Sequence, residues 1–304
     1  MTELPEHVTI REVSLRDGLQ IENPIPLSAK LELLEAVVAT GVREVEATAF
    51  VSPSKVPALA DAAALAAELP RLRQSHGIEF SALVASQGGA GRAVAAGMTS
   101  IEYVVSAADG HSHANVGRST AESVDLIADI ARIAHENDAT VEVIIATAWD
   151  CPFDGPTDPG RVVDIAVAAV EIGADRVAIA DTIGTTTPRR VTALVERLRT
   201  VLGDLPLGAH FHNTRGAGLA SAYAAVTAGV SRLDSSVGGL GGCPFAPGAS
   251  GNIATEDLVY MLRDSGIGVD VDLQAAIHAA DVARKAVGHD LPSALLRAGD
   301  RILG

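Results

Sequence analysis

Eight short β-branched runs alternate with longer Ala-rich amphipathic runs, and no other feature restricts the fold of this chain as tightly. A helix between each pair of strands makes successive strands parallel, and eight such units close into a (β/α)8 barrel. Strands are expected over residues 8–15, 42–50, 78–85, 100–106, 140–147, 176–180, 207–212 and 232–237. Helices are expected over 28–40, 57–69, 120–137, 159–172, 188–202 and 216–228. Ser28, Thr120 and Thr187-Pro188 offer N-cap or first-turn chemistry, and Gly41, Gly97, Gly173 and Gly229 each close a helix before the next strand. An open doubly wound sheet is the alternative. It lacks its glycine fingerprint here, since the first strand leads into Leu15-Arg16-Asp17-Gly18-Leu19-Gln20. Beyond Ser265 there is room for one or two further helices, so residues 1–304 are expected to form one α/β barrel domain with short additional C-terminal helices.

The balance of charge narrows the partners. Lys and Arg total 23 against 38 Asp and Glu, a formal net charge of −15. An acidic chain without a basic run is a poor nucleic-acid or anionic-membrane binder, although a local patch or a metal can still hold an anionic ligand. Cys151 and Cys243 are the two cysteines, too few for a disulfide framework or a thiol-rich zinc site. No apolar run approaches the ~20 residues of a membrane span. Met1–His7 has no secretion signal, and a cytoplasmic protein is expected.

The chemistry-bearing residues gather at one end of the expected barrel. Arg16 and Asp17 end the first strand, and Glu46 lies near the end of the second. Asp181 and Thr182 end the sixth, His210 and His212 the seventh, and Cys243 and Asn252 follow the eighth. The carboxyl-end rim is where barrels of this class place their active sites. His210 and His212 are two apart on a strand and therefore point to one face. With the Asp17 carboxylate and the Asn252 amide oxygen they make a nitrogen–oxygen donor set suited to Mg²⁺ or Mn²⁺. Arg16 reads either as a surface ion pair with Asp17 or as a fixed cation for a developing oxyanion. Glu46 reads as a catalytic carboxylate or as a buried partner for Arg16 or a histidine. Asp181 reads mainly as the cap of the turn Asp181-Thr182-Ile183-Gly184, and Glu256 as a residue holding a loop or ligand. Cys151 reads as a structural thiol. A second His-x-His, His111 and His113, is read on a loop as substrate-proximal or solvated.

The segment from Gly238 to Asn252 sets a single thiol, Cys243, among six glycines, which permit backbone angles closed to other residues. Such a segment can fold tightly over a ligand and place the thiol for contact.

Arg16-Asp17-Gly18-Leu19-Gln20, Phe50-Val51-Ser52-Pro53, Asp181-Thr182-Ile183-Gly184, His210-Phe211-His212 and Gly239-Leu240-Gly241-Gly242-Cys243-Pro244 together resemble the 3-hydroxy-3-methylglutaryl-CoA lyase family. The run from Gly248 to Leu262 resembles it too, and the likeness covers nearly the whole chain in the same order. The resemblance implies a divalent metal held by Asp17, His210, His212 and Asn252, and a small acyl-CoA substrate. It implies Arg16 as the stabiliser of a thioester enolate, with Glu46, His210 and Cys243 in or beside the chemistry. Gln20, Asp181, Thr182 and Glu256 would be supporting or substrate-proximal. It also implies a homo-oligomer and a place in leucine breakdown. The reaction would be retro-Claisen cleavage of a tertiary 3-hydroxyacyl-CoA to acetyl-CoA and a keto product.

Two neighbourhoods depart from the family pattern. Asn213-Thr214-Arg215-Gly216 stands where Asp-Thr-Tyr-Gly is expected, and Val13-Ser14-Leu15-Arg16 where Val-Gly-Pro-Arg is usual. They bear on the acyl group, for which a citramalyl-CoA-like substrate is the alternative. A Claisen synthase of acetyl-CoA and a 2-oxo acid would use a similar metal site but carry a further domain and lack the Cys loop. A barrel metal hydrolase would carry its His-x-His on the first strand. A non-catalytic scaffold need not keep the full ligand set.

Overall fold

The structure is a computed structural model that describes residues 4–242 and 251–301. Eight parallel strands close into a barrel: Thr9–Glu12, Glu44–Phe50, Glu79–Val84, Ser100–Ser106, Thr140–Ala146, Arg176–Asp181, Leu207–Phe211 and Arg232–Ser235. They are called here the first to the eighth. Closure comes from the pairing of the first strand with the eighth, Thr9 opposite Arg232 through Glu12 opposite Ser235. The expected (β/α)8 architecture is the one found.

The helices wrap the barrel because their buried residues fall on one stripe. In the helix Pro188–Leu202 the buried positions are Val191, Leu194, Val195 and Leu198, a helical repeat. Thr120–His135 starts at a capping box in which Ser119 and Glu122 satisfy each other's backbone N–H groups. The helix Leu273–Val287 and the short Leu295–Ala298 follow the last barrel helix, Thr255–Asp264.

Three local expectations are corrected. The first strand stops at Glu12 instead of reaching residue 15. The Glu12 carboxylate accepts the N–H groups of Ser14 and Val237, both at 3.0 Å, which draws the chain out of the sheet. Ser14–Gly18 then forms a π-helical turn, so Arg16 and Asp17 lie on a turn above the strand. The expected helix 57–69 breaks into Pro57–Leu59, Ala62–Ala66 and Leu69–His76, with Pro70 in the first turn of the last, where its missing N–H costs nothing. The second His-x-His lies on a helix, Asp109–Val116, and not on a loop. Gly110 permits that helix to press on Asp154, which accepts its N–H at 2.7 Å and would lie 2.3 Å from a Cβ.

Inside the barrel the amino-terminal half is filled with ions. Arg11 grips Asp234 with two hydrogen bonds, 2.9 and 2.8 Å, and reaches across to Glu142 at 2.5 Å and Glu102 at 2.7 Å. Arg232 also pairs with Glu142. All five side chains are buried. Above this floor the interior turns apolar, with Leu83, Val104, Ile144 and Ala180 at the base of the cleft described next.

Candidate active site

A cleft of about 1720 Å³ opens at the carboxyl ends of the strands, lined among others by Arg16, Asp17, Gln20, Thr182, His210, His212 and Gly242. The Asp17 carboxylate and the two imidazoles bring one ligand atom each within 4.8 Å of one another. His210 Nε2 lies 3.9 Å and His212 Nε2 3.7 Å from Asp17 Oδ2. The barrel interior sets the orientation of His210. Its Nδ1 lies 3.2 Å from Asp234 Oδ2, so Nδ1 carries the proton and Nε2 turns a lone pair toward Asp17.

Asn252 reaches the same point from the strand-like segment after the Gly-rich loop, through a bridge to His212. Its Nδ2 donates to Asp17 Oδ2 at 2.9 Å and to the Leu240 carbonyl at 3.0 Å. Gly241, at φ +121°, allows this approach, since a Cβ there would lie 2.8 Å from Nδ2. The Asn252 Oδ1 and His212 Nδ1 are buried without a hydrogen-bond partner. Two imidazoles, a carboxylate and an unsatisfied amide oxygen fit a divalent cation. A half-turn of the Asn252 amide brings that oxygen to the Asp17 side.

Burial pushes the Asp17 carboxyl up, but Arg16 and the two imidazoles overcome this and hold it well below the usual carboxylate range. Asp17 therefore stays an anion. Arg16 is fixed on three sides. Its Nη1 donates to Asp17 Oδ1 at 2.6 Å and to Gln20 Oε1 at 3.3 Å, and its Nε is ion-paired with Glu46 Oε1 at 2.5 Å. Glu46 is fully buried and is not among the residues lining the cleft. Burial pushes its carboxyl up; Arg16 opposes that push and Glu102 adds to it. Its contact with the cleft runs through Arg16.

The remaining sequence candidates divide between cleft and support. Asp181 accepts from Thr185 N and Thr186 N, each at 3.0 Å, and so caps the turn that ends the sixth strand. Gly184 closes that turn at φ +62°, 2.9 Å from the His212 carbonyl by its Cβ position. Thr182 lines the cleft and accepts from Thr147 N at 2.8 Å. Glu256 accepts from Gly238 N at 3.0 and 3.1 Å, holding the start of the Gly-rich loop, and burial pushes its carboxyl up to about 7. Cys243 lies outside the described residues, as do its neighbours through Ser250. Cys151 is buried, and its sulfur receives the N–H groups of Phe153 and Asp154 at 3.4 Å, the structural role expected of it. His111 lines the cleft, 2.6 Å from Ser106 Oγ, and burial pushes its pKa down to about 4; His113 is exposed.

Sequence reading missed Arg11 and Asp234 beneath the site, and Lys55, Arg92 and Arg118 in the cleft wall. Asp234, with Arg232 on its own strand, had a signal. Arg232 and Asp234 alternate with apolar residues on a strand, so both must point inward and need partners there.

The HMGL-like family model matches residues 7–283. The chain belongs to the HMGL-like family. It is 39% identical to the (R)-citramalyl-CoA lyase of Chloroflexus aurantiacus, over 97% of this chain and 95% of that one. It is 38% identical to the hydroxymethylglutaryl-CoA lyase of Pseudomonas mevalonii, over 88% of each. Among solved structures, an HMG-CoA lyase from Acinetobacter baumannii in complex with coenzyme A and 3-methylmalate superposes with a TM-score of 0.92 at 35% identity, covering 100% of both chains. No helix among the described residues is long and apolar enough to cross a membrane.

Proposed function

We propose that this member of the HMGL-like family is a carbon–carbon lyase that cleaves a tertiary 3-hydroxyacyl-CoA by a divalent-metal-dependent retro-Claisen reaction. The substrate we assign is 3-hydroxy-3-methylglutaryl-CoA, giving acetyl-CoA and acetoacetate. The observation that carries the reading is the convergence of Asp17, His210 and His212 beside the fixed guanidinium of Arg16 in one large cleft. The identity to a citramalyl-CoA lyase favours a second acyl group, citramalyl-CoA, within the same reaction class.

Asp17, His210, His212 and Asn252 would hold the cation, Mg²⁺ or Mn²⁺ by the hardness of the donor set. When bound, it supplies Lewis acidity toward the substrate's 3-hydroxyl and a carbonyl oxygen. The chain's own residues do the rest. The 3-hydroxyl passes its proton to His210 Nε2, C3–O becomes the carbonyl of the keto product as the C2–C3 bond breaks, and the electron pair of that bond passes to the thioester oxygen as an enolate. Arg16, already held by Glu46, meets that charge without reorganising. His210 has only Nε2 turned to the cleft, so this nitrogen serves either the cation or the hydroxyl proton, one at a time. The enolate carbon then takes a proton, the role we assign to the Cys243 thiol on its Gly-rich loop. Glu256 and Asp181 keep the loops around the site in place. We place the enzyme in the cytoplasm as a homo-oligomer.

The test is a cleavage assay over a panel of 3-hydroxyacyl-CoAs, with and without a chelator. Acetyl-CoA released from 3-hydroxy-3-methylglutaryl-CoA, lost on chelation and restored by Mg²⁺ or Mn²⁺, is expected. Cleavage of citramalyl-CoA alone would move the assignment to the second acyl group. Free CoA released from acetyl-CoA and a 2-oxo acid, with no cleavage, would replace the lyase by a synthase.

A further inference from the structure

The charges enclosed by the barrel do not balance. Among the described residues, the buried Arg11, Arg16 and Arg232 face the buried Glu46, Glu102, Glu142 and Asp234. Three guanidiniums meet four carboxylates, and Asp17 above them is a fifth. Arg176, Glu44 and Glu79 stand at strand starts below, partly exposed, where water screens them. Glu12 and Glu256 are buried too, but each is answered by backbone N–H groups at the root of the Gly-rich loop. A buried carboxylate without a counter-charge is costly, and it meets that cost by taking a proton.

The pattern of donors shows where the excess falls. Asp234 has Arg11 on both oxygens and His210 besides. Glu142 has Arg11 on one oxygen and Arg232 on the other. Glu46 and Glu102 are each served on one oxygen alone. Glu46 Oε1 pairs with Arg16 Nε at 2.5 Å. Glu102 Oε1 takes Arg11 Nη1 at 2.7 Å and the Ser81 hydroxyl. The other oxygen of each, Oε2, is buried with no hydrogen-bond donor. The two carboxyl groups come from the second and fourth strands. Ser81, opposite Glu46 in register and bonded to Glu102, stands between them on the third. Burial pushes the Glu46 carboxyl up against the pull of Arg16, and the negative charge of Glu102 pushes it further.

We infer that Glu46 and Glu102 share one proton in the cation-free protein and release it to solvent when a divalent cation is held at Asp17, His210 and His212. The inference rests on the cation reading above and adds where the charge of that cation is felt. One proton leaves a single negative charge on the pair, so three anions meet the three guanidiniums below Asp17. It also gives the two idle oxygens a partner in each other. Two positive charges at Asp17 draw its carboxylate away from Arg16 electrostatically. Arg16 then answers to Glu46 alone, and the ionised form of Glu46 is favoured. The step is a plain dissociation: the O–H bond breaks, its electron pair stays on the carboxylate, and the proton passes to water. Five carboxylates then stand against three guanidiniums and a divalent charge, and the interior is neutral. Glu102 is thus a positioning residue. It weakens the hold of Glu46 on Arg16 until the cation is in place, and Arg16 is then clamped for the enolate.

The test uses the whole protein stripped of metal, with Mn²⁺ as the probe, on wild type and Glu102→Gln. With an amide at position 102 the excess charge is gone, and Glu46 stays ionised throughout. Infrared difference spectra should show Mn²⁺ removing a neutral-carboxyl band from the wild type and none from Glu102→Gln. Protonated Glu12, Asp181 or Glu256 is common to both proteins and cancels. Calorimetry of Mn²⁺ binding in buffers of different ionisation heat counts the protons released. The wild type should release about one more than the variant, the imidazoles being common to both. By linkage, wild-type affinity for Mn²⁺ then rises about tenfold more per pH unit than that of the variant. Glu102→Asp keeps the carboxyl and should recover part of the released proton. A band lost from both proteins alike or from neither, or equal proton release, overturns the inference. If the wild type binds no Mn²⁺, the cation reading falls, and spectra of the metal-free proteins decide the shared proton. The wild type must then show a neutral-carboxyl band that Glu102→Gln lacks, and its absence overturns the inference. Should circular dichroism show Glu102→Gln unfolded, band loss in the wild type decides alone, its presence in favour and its absence against.

Discussion

The two faces of the barrel strands are built from opposite chemistry. Outward, Ile10, Val45, Phe80, Ile101 and Val177 meet the helices in an aliphatic layer. Inward, Arg11, Glu102, Glu142, Arg232 and Asp234 fill the lower barrel with ions. Many barrels pack their interior with Val, Ile and Leu. The difference shows how the two faces divide their tasks. The outer layer stabilises the fold through apolar area, and many sequences can do that. The inner ions are costly to bury, and replacing such groups by apolar ones often leaves stability unchanged or improved. Their return here is orientation: Arg11 fixes Asp234, Asp234 fixes the tautomer of His210, and His210 faces Asp17.

The largest expected effect lies on the inner side, at the top. His212→Ala removes a side chain of the proposed ligand set, and metal affinity and turnover should fall together by more than ~100-fold, beyond the loss typical of supporting residues. Chelator titration of the loaded protein with parallel assays measures both; a variant keeping turnover without metal would break the account. Next comes the outer layer. Phe80→Ala should cost ~3–5 kcal/mol by denaturant unfolding, as a buried aromatic deletion does. Its metal affinity should stay within about threefold. If metal binding falls as far as stability, the two faces are not separable.

Asp234→Asn sharpens the comparison from inside. An amide can donate to His210 Nδ1 and move the imidazole proton to Nε2, which can then no longer ligate. Metal affinity should drop ~10- to 100-fold while the barrel remains closed. Nitrogen NMR of the histidines reads the tautomer directly, and an unchanged tautomer would remove Asp234 from its positioning role.

The smallest effect concerns Glu256. Burial raises its folded pKa from 4.5 to about 7. The folded state therefore binds a proton that the unfolded state releases. Its stabilising contribution is full below about pH 4.5 and is lost as pH rises through about 7. Glu256→Gln should flatten the decline of Tm between pH 5 and 7.5. An unaltered slope would mean the carboxyl is already ionised against Gly238.

How much of this was legible in the sequence follows the same division. The outer face writes itself as β-branched and helical periodicity, so the eight strands and their closure could be read directly. The rim was legible where His210 and His212 stand at the end of the seventh strand and where Asp17 and Asn252 follow the first and the eighth. Strand ends were less so: the lengths of the first strand and its π-turn depend on Glu12 reaching Val237, a partner 225 residues away. Glu46 could not be decided, because a buried carboxylate in an apolar strand needs a partner and the sequence does not say which; the structure supplies Arg16. Arg92 and Arg118 were not singled out, since nothing local in the sequence shows that a side chain reaches the cleft.

The central claim is that the inner face builds one divalent-cation site at Asp17, His210 and His212. Titration of Mn²⁺ into metal-stripped protein, followed by electron paramagnetic resonance, tests it most directly. The account predicts one bound Mn²⁺ per chain in the wild type and none at the same concentration in Asp17→Asn. A wild-type protein that binds no Mn²⁺, Mg²⁺ or other divalent ion, or an Asp17→Asn variant that binds as the wild type does, would contradict it.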